Sequence, residues 1–382
     1  MSYQPPEASP EARALAQSAL LVDGHIDVPY RLTESPGEDV SVRTAGGDFD
    51  HPRAVAGGLD VAFMSIYTPA RLQDTPGASA ALADSLIGLV EGLAAEHPAK
   101  FAVVTSTADV ARLRAPGRVL LALGMENGAP LEDLGALRRY AARGVRYVTL
   151  THGEPNRISD SSYSDDRPHG GLSPYGAEVV REMNRLGVIV DVSHVSDEAF
   201  FDVMDLTDVP VIASHSSARH FTPGFERNMS DAMIERLAAE GGVIMINFGS
   251  SFLSQRYRTE RDARQAELAD AMSRMRFASQ EAERAFVADF MARHPVALAT
   301  LSDVADHIDH VRDLVGVEHI GIGSDYDGVG PTLPVGLEDV STFPTLVQEL
   351  LDRGYSQADV RAILGGNAMR VWRAVEAAAD GP

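Results

Sequence analysis

An α/β fold of the (β/α)8 barrel type is predicted for this 382-residue chain by three observations. Eight apolar, β-rich runs recur along it. Helical patterns separate most of them, which is the rhythm of a parallel sheet. Polar residues cap six of the runs at their C-terminal ends, where the active sites of such barrels lie. A barrel usually takes about 250 residues and can pass about 400 with insertions. One domain over 1–382 therefore accommodates the length. A doubly wound open sheet is the rival architecture.

The first run, ALLVDGHIDV (19–28), ends in His25 and Asp27. Residues i and i+2 of a strand share a face, so both can reach one cation while Ile26 packs the other way. Residues 29–60 read as a Gly/Asp-rich loop. The second run is VAFMSIYT (61–68), followed by the helical stretch ALADSLIGLVEGLAAEH. The third, VLLALGMENG (119–128), ends on Glu126, whose two carboxylate oxygens can bridge two cations. The fourth, RYVTLTHG (146–153), ends on His152, suited to hydrogen-bond a carbonyl oxygen as it becomes an oxyanion.

GVIVDVSH (187–194) and VPVIASHSS (209–217) end in His194 and His215. Either imidazole alone reads as a core histidine. Two at equivalent strand ends favour metal ligation in the neutral form. Asp191, three residues before His194, is a candidate to orient a ligand or a plain structural acceptor. GGVIMINFG (241–249) is the seventh run. The charged segment 252–296 then breaks the rhythm. It reads as a solvated helical pair inserted in the barrel, with a lid or an oligomer contact as the alternative. The eighth run, HIGIGSDYDG (319–328), carries Asp325, suited to take a proton from water and pass it to a leaving amine. Asp327 is its substitute. Arg227, in FERNMSD, has the forked donors that bind a terminal carboxylate.

These residues give two cation sites sharing one oxygen bridge. Paired cations lower the pKa of a shared water and yield hydroxide at neutral pH, so hydrolysis follows. With no cysteine in the chain, any ion must be held by His, Asp, Glu or backbone oxygen. The single lysine, Lys100, precedes the third run, so a carboxylated-lysine bridge is disfavoured against Glu126. A net charge of −22 argues against nucleic-acid partners. The N-terminal residues do not read as a secretory signal, and no apolar run approaches about 18 residues, so no membrane span and a cytoplasmic location are expected.

The segments DGHIDVPYR, GMENG, YVTLTHGEPN, DVSHVS, ASHSSAR, RNMSDAMI, GIGSDYDGV and LGGNAMRVW run from about Leu21 to Trp372. Together they resemble the membrane (renal) dipeptidase family of the amidohydrolase superfamily, including its soluble bacterial members. The resemblance implies two zinc ions per chain, one on His25, Asp27 and Glu126 and the other on Glu126, His194 and His215. It implies that His152 stabilises the tetrahedral intermediate, that Arg227 holds the substrate carboxylate, and that Asp325 handles protons and the substrate amine. It implies dipeptide substrates, in some members with a D-residue at the C-terminal position, and in some the opening of certain β-lactams.

Mammalian members are exported, disulfide-bonded and lipid-anchored. The absence of cysteine and of an apolar C-terminal tail departs from them and leads us to expect a soluble protein. Segment 252–296 is longer than in the mammalian pattern, which leaves substrate preference open; a homodimer is left open as well. Two rival readings remain: another binuclear hydrolase acting on lactones, phosphoesters or acylated amino acids, and a catalytically silent binding protein. Arg227 favours a free-carboxylate substrate over the first rival, and the filled ligand positions oppose the second.

Overall fold

Strands that are apolar on both faces must lie between two packed layers. The computed structural model, which describes residues 3–379, satisfies this with one closed parallel sheet. Its strands are β1 (Leu21–Ile26), β2 (Leu59–Tyr67), β3 (Phe101–Val103), β4 (Val119–Glu126), β5 (Val145–Thr149), β6 (Ile189–Asp191), β7 (Ile212–Ala213), β8 (Val243–Ile246) and β9 (Ile320–Ile322). Neighbours run β1–β2–β4–β5–β6–β7–β8–β9, and β9 pairs back to β1. All pairings are parallel, so the eight-stranded barrel is a (β/α)8 barrel.

The short strand β3 was not expected. It takes the edge of β4 at Val119–Leu121, below the point where β5 begins to pair at Leu123. The expected strands also run longer than the observed ladders. The run 209–217 contributes only Ile212–Ala213 to the sheet. The loop expected at 29–60 holds two short helices, Val28–Glu34 and His51–Gly57. The second of these is capped by Asp50, whose side chain accepts from the Arg53 N–H.

The helices between strands carry ordinary start and stop signals. The helix Pro174–Leu186 begins with Ser173 accepting from the Gly176 N–H and with proline in its first turn; it ends at Gly187, φ +69°. Its buried residues include Val179, Val180 and Met183, and the helix packs on β6 and on its neighbouring helices. The helix Ala78–Glu96 has a mean hydropathy of 1.4 and is long and apolar enough, by length and composition, to cross a bilayer. This qualifies the expectation that no apolar stretch approaches that size. Its buried Ala83, Leu86, Ile87 and Val90 recur at helical spacing, and the helix packs on β2 and β3.

The barrel interior is filled by Val22, Phe63, Leu120, Ala122, Tyr147 and Met245, with Trp372 of the helix Asn367–Ala378 packed against them. Segment 252–296 forms the helices Gln255–Ser273 and Gln280–Arg293, whose only buried residues are Tyr257, Leu268 and Phe290.

Candidate metal centre

Strict alternation from Val22, which points into the barrel, would send Gly24 inward and His25 outward. The register of β1 on β2 slips between Asp23 and Ile26, with three steps on β1 facing two on β2. This bulge turns His25 into the barrel mouth. Its N–H is held by the buried Asp23 carboxylate at 3.1 Å, which also takes the Ser324 N–H at 3.0 Å and the Ser324 hydroxyl at 2.5 Å. Burial, opposed by these hydrogen bonds, raises the Asp23 carboxyl to about 6.

The protonation of two imidazoles follows from their partners. The Tyr147 hydroxyl donates its one proton to the Gly24 carbonyl at 3.0 Å, so it accepts from His25 Nδ1–H at 2.8 Å. His25 Nε2 is then the nitrogen left to face the carboxylates, fully buried and without a hydrogen-bond partner. It lies 3.4 Å from Asp27 Oδ2 and 3.4 Å from Glu126 Oε2. In the same way Ser214 donates to Asp191 Oδ2 at 2.6 Å and accepts from His215 Nδ1–H at 2.7 Å. Asp191 also takes the Thr149 hydroxyl and the Ser193 and Ser214 N–H groups. It therefore orients His215 through Ser214.

Glu126, the last residue of β4, divides its two oxygens. Oε2 faces His25 and accepts from the Ser65 hydroxyl at 3.0 Å. Oε1 lies 3.2 Å from His194 Nε2, 3.4 Å from His215 Nε2 and 3.5 Å from His152 Nε2. His194 and His215 approach each other at 2.8 Å through their Nε2 atoms. Burial pushes the Glu126 carboxyl up, but the imidazoles around it outweigh this and hold it well below the usual range. Burial and the Arg227 charge hold His194 well below the usual imidazole value, and burial, His25 and Arg227 do the same for His215. Both are thus kept in the neutral form that ligates metals. Burial alone would also lower His25, but Tyr147, Glu126 and Asp27 outweigh it and hold its imidazole well above the usual value, so the field there favours positive charge.

Three groups of side chains have ligand atoms within 4.8 Å of one another here: His25 with Glu126 and His215, Glu126 with His152 and His194, and His25 with Asp27 and Asp325. The donor set is all imidazole nitrogen and carboxylate oxygen, which fits zinc and similar divalent ions. The orphaned His25 Nε2 is the buried polar atom that such an ion would satisfy.

Asp325 accepts from the Asn247 amide at 2.7 Å. Burial, then the neighbouring Asp27 charge, raise its carboxyl well above the usual range. Asp327 also lines the cleft, but its carboxylate is taken up by two hydrogen bonds from Arg31 at 2.8 and 2.7 Å and by the Asp48 N–H at 2.6 Å. Arg227 is 2% exposed, with hydrogen bonds to Ser216 Oγ at 2.6 Å and the His215 carbonyl at 2.8 Å. Its Nε has no partner. Lys100 donates to the Ser41 carbonyl at 2.6 Å. A cleft of about 730 Å³ opens over the centre, lined among others by Asp27, Glu126, His152, His194 and Asp325.

The expected residues therefore converge, with one correction of placement. His152, His194, His215 and Asp325 lie two or three residues beyond the strands, in the loops that follow. Among the described residues the non-glycine positions with positive φ are Asn127, His194, Asp325 and Asp327, all at this rim. Left-handed backbone costs about 1–3 kcal/mol at such positions, and its concentration here marks a built site. Tyr147, Ser214, Asn247 and Asp23 were not singled out from sequence. For Asn247 a signal existed, since it is the polar residue closing the apolar run VIMI.

Gly328 is required by close approach. A Cβ there would meet Asp325 Oδ1 at 2.2 Å and Asp27 Oδ2 at 2.3 Å. Gly328→Ala is expected to cost about 1–3 kcal/mol of stability and most of the activity. Chemical denaturation checks this: an unchanged midpoint together with unchanged turnover would contradict the packing argument.

A parallel barrel whose C-terminal rim gathers four imidazoles and three carboxylates, the shared Glu126 among them, has the make-up of a metal-dependent hydrolase. Residues 9–381 match the family model described as membrane dipeptidase, peptidase family M19, and the chain belongs to that family. It is 37% identical over 340 residues to dipeptidase aclJ of Aspergillus oryzae, covering 86% of this chain and 70% of that one. The structure is similar to the crystal structure of the probable dipeptidase PvdM from Pseudomonas aeruginosa, with TM-score 0.83, 28% identity and 97% and 98% of the two chains covered. A Rhodobacter sphaeroides metallopeptidase, liganded with a phosphinate mimic of the dipeptide L-Ala-D-Ala, superposes with TM-score 0.76 at 25% identity, covering 94% of this chain and 99% of that one.

Proposed function

We propose that this chain is a zinc-dependent dipeptidase with two zinc ions per chain, held by His25, Asp27 and Glu126 on one side and by Glu126, His194 and His215 on the other. The observation that carries the reading is the division of Glu126, with Oε2 toward His25 and Oε1 toward His194 and His215. When bound there, paired cations supply a nucleophilic water at neutral pH and polarise the scissile carbonyl.

The remaining steps belong to side chains of this chain. His152, over the Oε1 side of Glu126, donates to the carbonyl oxygen as it gains charge. Asp325, with one oxygen fixed by Asn247, takes the proton of the attacking water and returns it to the leaving amine. It also accepts from the substrate amino group. Arg227, a buried cation with an unused Nε, holds the substrate carboxylate. The phosphinate ligand of the Rhodobacter relative mimics L-Ala-D-Ala, which supports extending the reading to a C-terminal D-residue.

Purified protein is expected to carry about two zinc per chain, to hydrolyse a panel of L,L and L,D dipeptides, and to lose activity in chelator. Protein that takes up no metal, or that keeps full activity in chelator, would refute the reading. Arg227→Ala should raise KM for dipeptides by about 10- to 100-fold, the worth of one charge-assisted hydrogen bond, and far less for neutral esters. Equal effects on the two substrate types would remove its assigned role.

A further inference from the structure

The helix Gln255–Ser273 starts at the cleft and puts Tyr257, Arg258 and Arg261 into its wall. It has no acidic residue in its first turn, yet Arg256 and Arg258 lie there and Arg261 follows. Cations at a helix N-terminus oppose the macrodipole. Two of the three are compensated: Arg256 pairs with Glu260 at 3.8 Å and Arg261 with Asp262 at 2.7 Å. Arg261 is further tied to Ser251 Oγ at 2.8 Å. Arg258 makes no ion pair and no side-chain hydrogen bond among the described residues. Its guanidinium stacks 3.6 Å over the Phe225 ring. In a chain with 22 excess negative charges, this partly buried cation in a cleft wall is held by an aromatic face and is left without a carboxylate partner.

The aromatic contacts place that cation. Arg227 lies against the Phe252 ring at 5.2 Å, Phe252 touches Phe225 at 5.8 Å between ring centroids, and Phe225 carries Arg258. Arg258 is therefore joined to the buried Arg227 through Phe252 and Phe225, and it is the more exposed of the two and lines the cleft. A dipeptide whose C-terminal carboxylate is held at Arg227 would direct the side chain of that same residue toward Arg258.

We infer that Arg258 makes this enzyme selective for dipeptides whose C-terminal residue carries an acidic side chain, aspartate or glutamate. The inference rests on the dipeptidase reading above. The guanidinium pairs with the side-chain carboxylate, and the positive end of the helix adds to the attraction.

The test compares kcat/KM for Ala-Asp and Ala-Asn, and for Ala-Glu and Ala-Gln, in L,L and L,D forms, with Ala-Ala and Ala-Lys as references. The wild-type enzyme is expected to favour each acid over its amide by about tenfold or more. In Arg258→Gln that ratio should fall to about one, and in Arg258→Glu it should invert, with Ala-Lys becoming the preferred substrate. A wild-type acid-to-amide ratio near one, or a ratio unchanged in Arg258→Gln, overturns the inference. So does a preference for Asp-Ala over Asn-Ala, measured beside them, that matches or exceeds the C-terminal one. Hydrolysis of Ala-Ala in those cases leaves the dipeptidase reading standing, whereas failure on every dipeptide sinks both.

Discussion

Replacing Glu126 by glutamine is expected to abolish metal retention on at least one side of the centre and to lower kcat/KM by about three orders of magnitude. The side chain volume is almost unchanged, so packing cannot be the cause. The charge and the second acceptor are what is lost. In the wild type each oxygen faces its own set of imidazoles, at 3.4 Å on the His25 side and 3.2–3.4 Å on the side of His194 and His215. Glutamine offers one acceptor and one N–H₂ group, so it must point a donor at one of the two sets. A neutral imidazole lone pair would then hydrogen-bond the amide. Losing several kcal/mol of transition-state charge stabilisation corresponds to about 10³-fold in rate. Metal analysis of the purified variant beside steady-state kinetics checks this. A variant with full zinc content and activity within tenfold of wild type would show that Glu126 is not the bridge.

Asp325→Asn should behave differently: metal content kept, and kcat reduced by about 10²- to 10⁴-fold, the usual worth of a general acid–base group. Asn247 can still donate to the amide oxygen of the variant, so the side chain keeps its place. What disappears is the capacity to gain and lose a proton. Burial and the Asp27 charge raise the wild-type carboxyl well above the ordinary range, so it keeps its proton to higher pH than a free aspartate. As pH falls, Asp325 takes up its proton and ceases to be a base, so activity declines on the acid side. In the variant that acid limb should flatten. Loss of zinc from Asp325→Asn would instead make the residue a ligand, as its proximity to His25 and Asp27 allows. An unaltered kcat would remove it from the reaction altogether.

Much of this centre could be read from the chain because its residues follow strands buried on both faces. A polar residue that ends an apolar run has nowhere to go but the rim, and six of eight runs end that way. The corrections have a common cause. β3 is only three residues long and pairs with one edge of β4, too little pattern to register against the helix that precedes it. Residues 29–60 fold into two short helices whose stability comes from tertiary contacts and an Asp cap more than from periodicity.

The sequence by itself determined the barrel, its rim and the residues that meet there, because hydrophobic periodicity and the parallel sheet leave few alternatives for where strand ends point. Only the tertiary structure decided how those residues are aimed and charged. The bulge in β1 turns His25 inward against simple alternation. Tyr147, from across the barrel, fixes its Nδ1–H, and Ser214 with Asp191 does the same for His215. Asp325 and Asp327 both line the cleft, but Asp327 is taken up by Arg31 while Asp325 lies beside His25 and Asp27. Apart from the bond between the neighbours Ser214 and His215, these are contacts between residues far apart in the chain, set by register and by donor and acceptor counts, and a one-dimensional pattern carries no record of either.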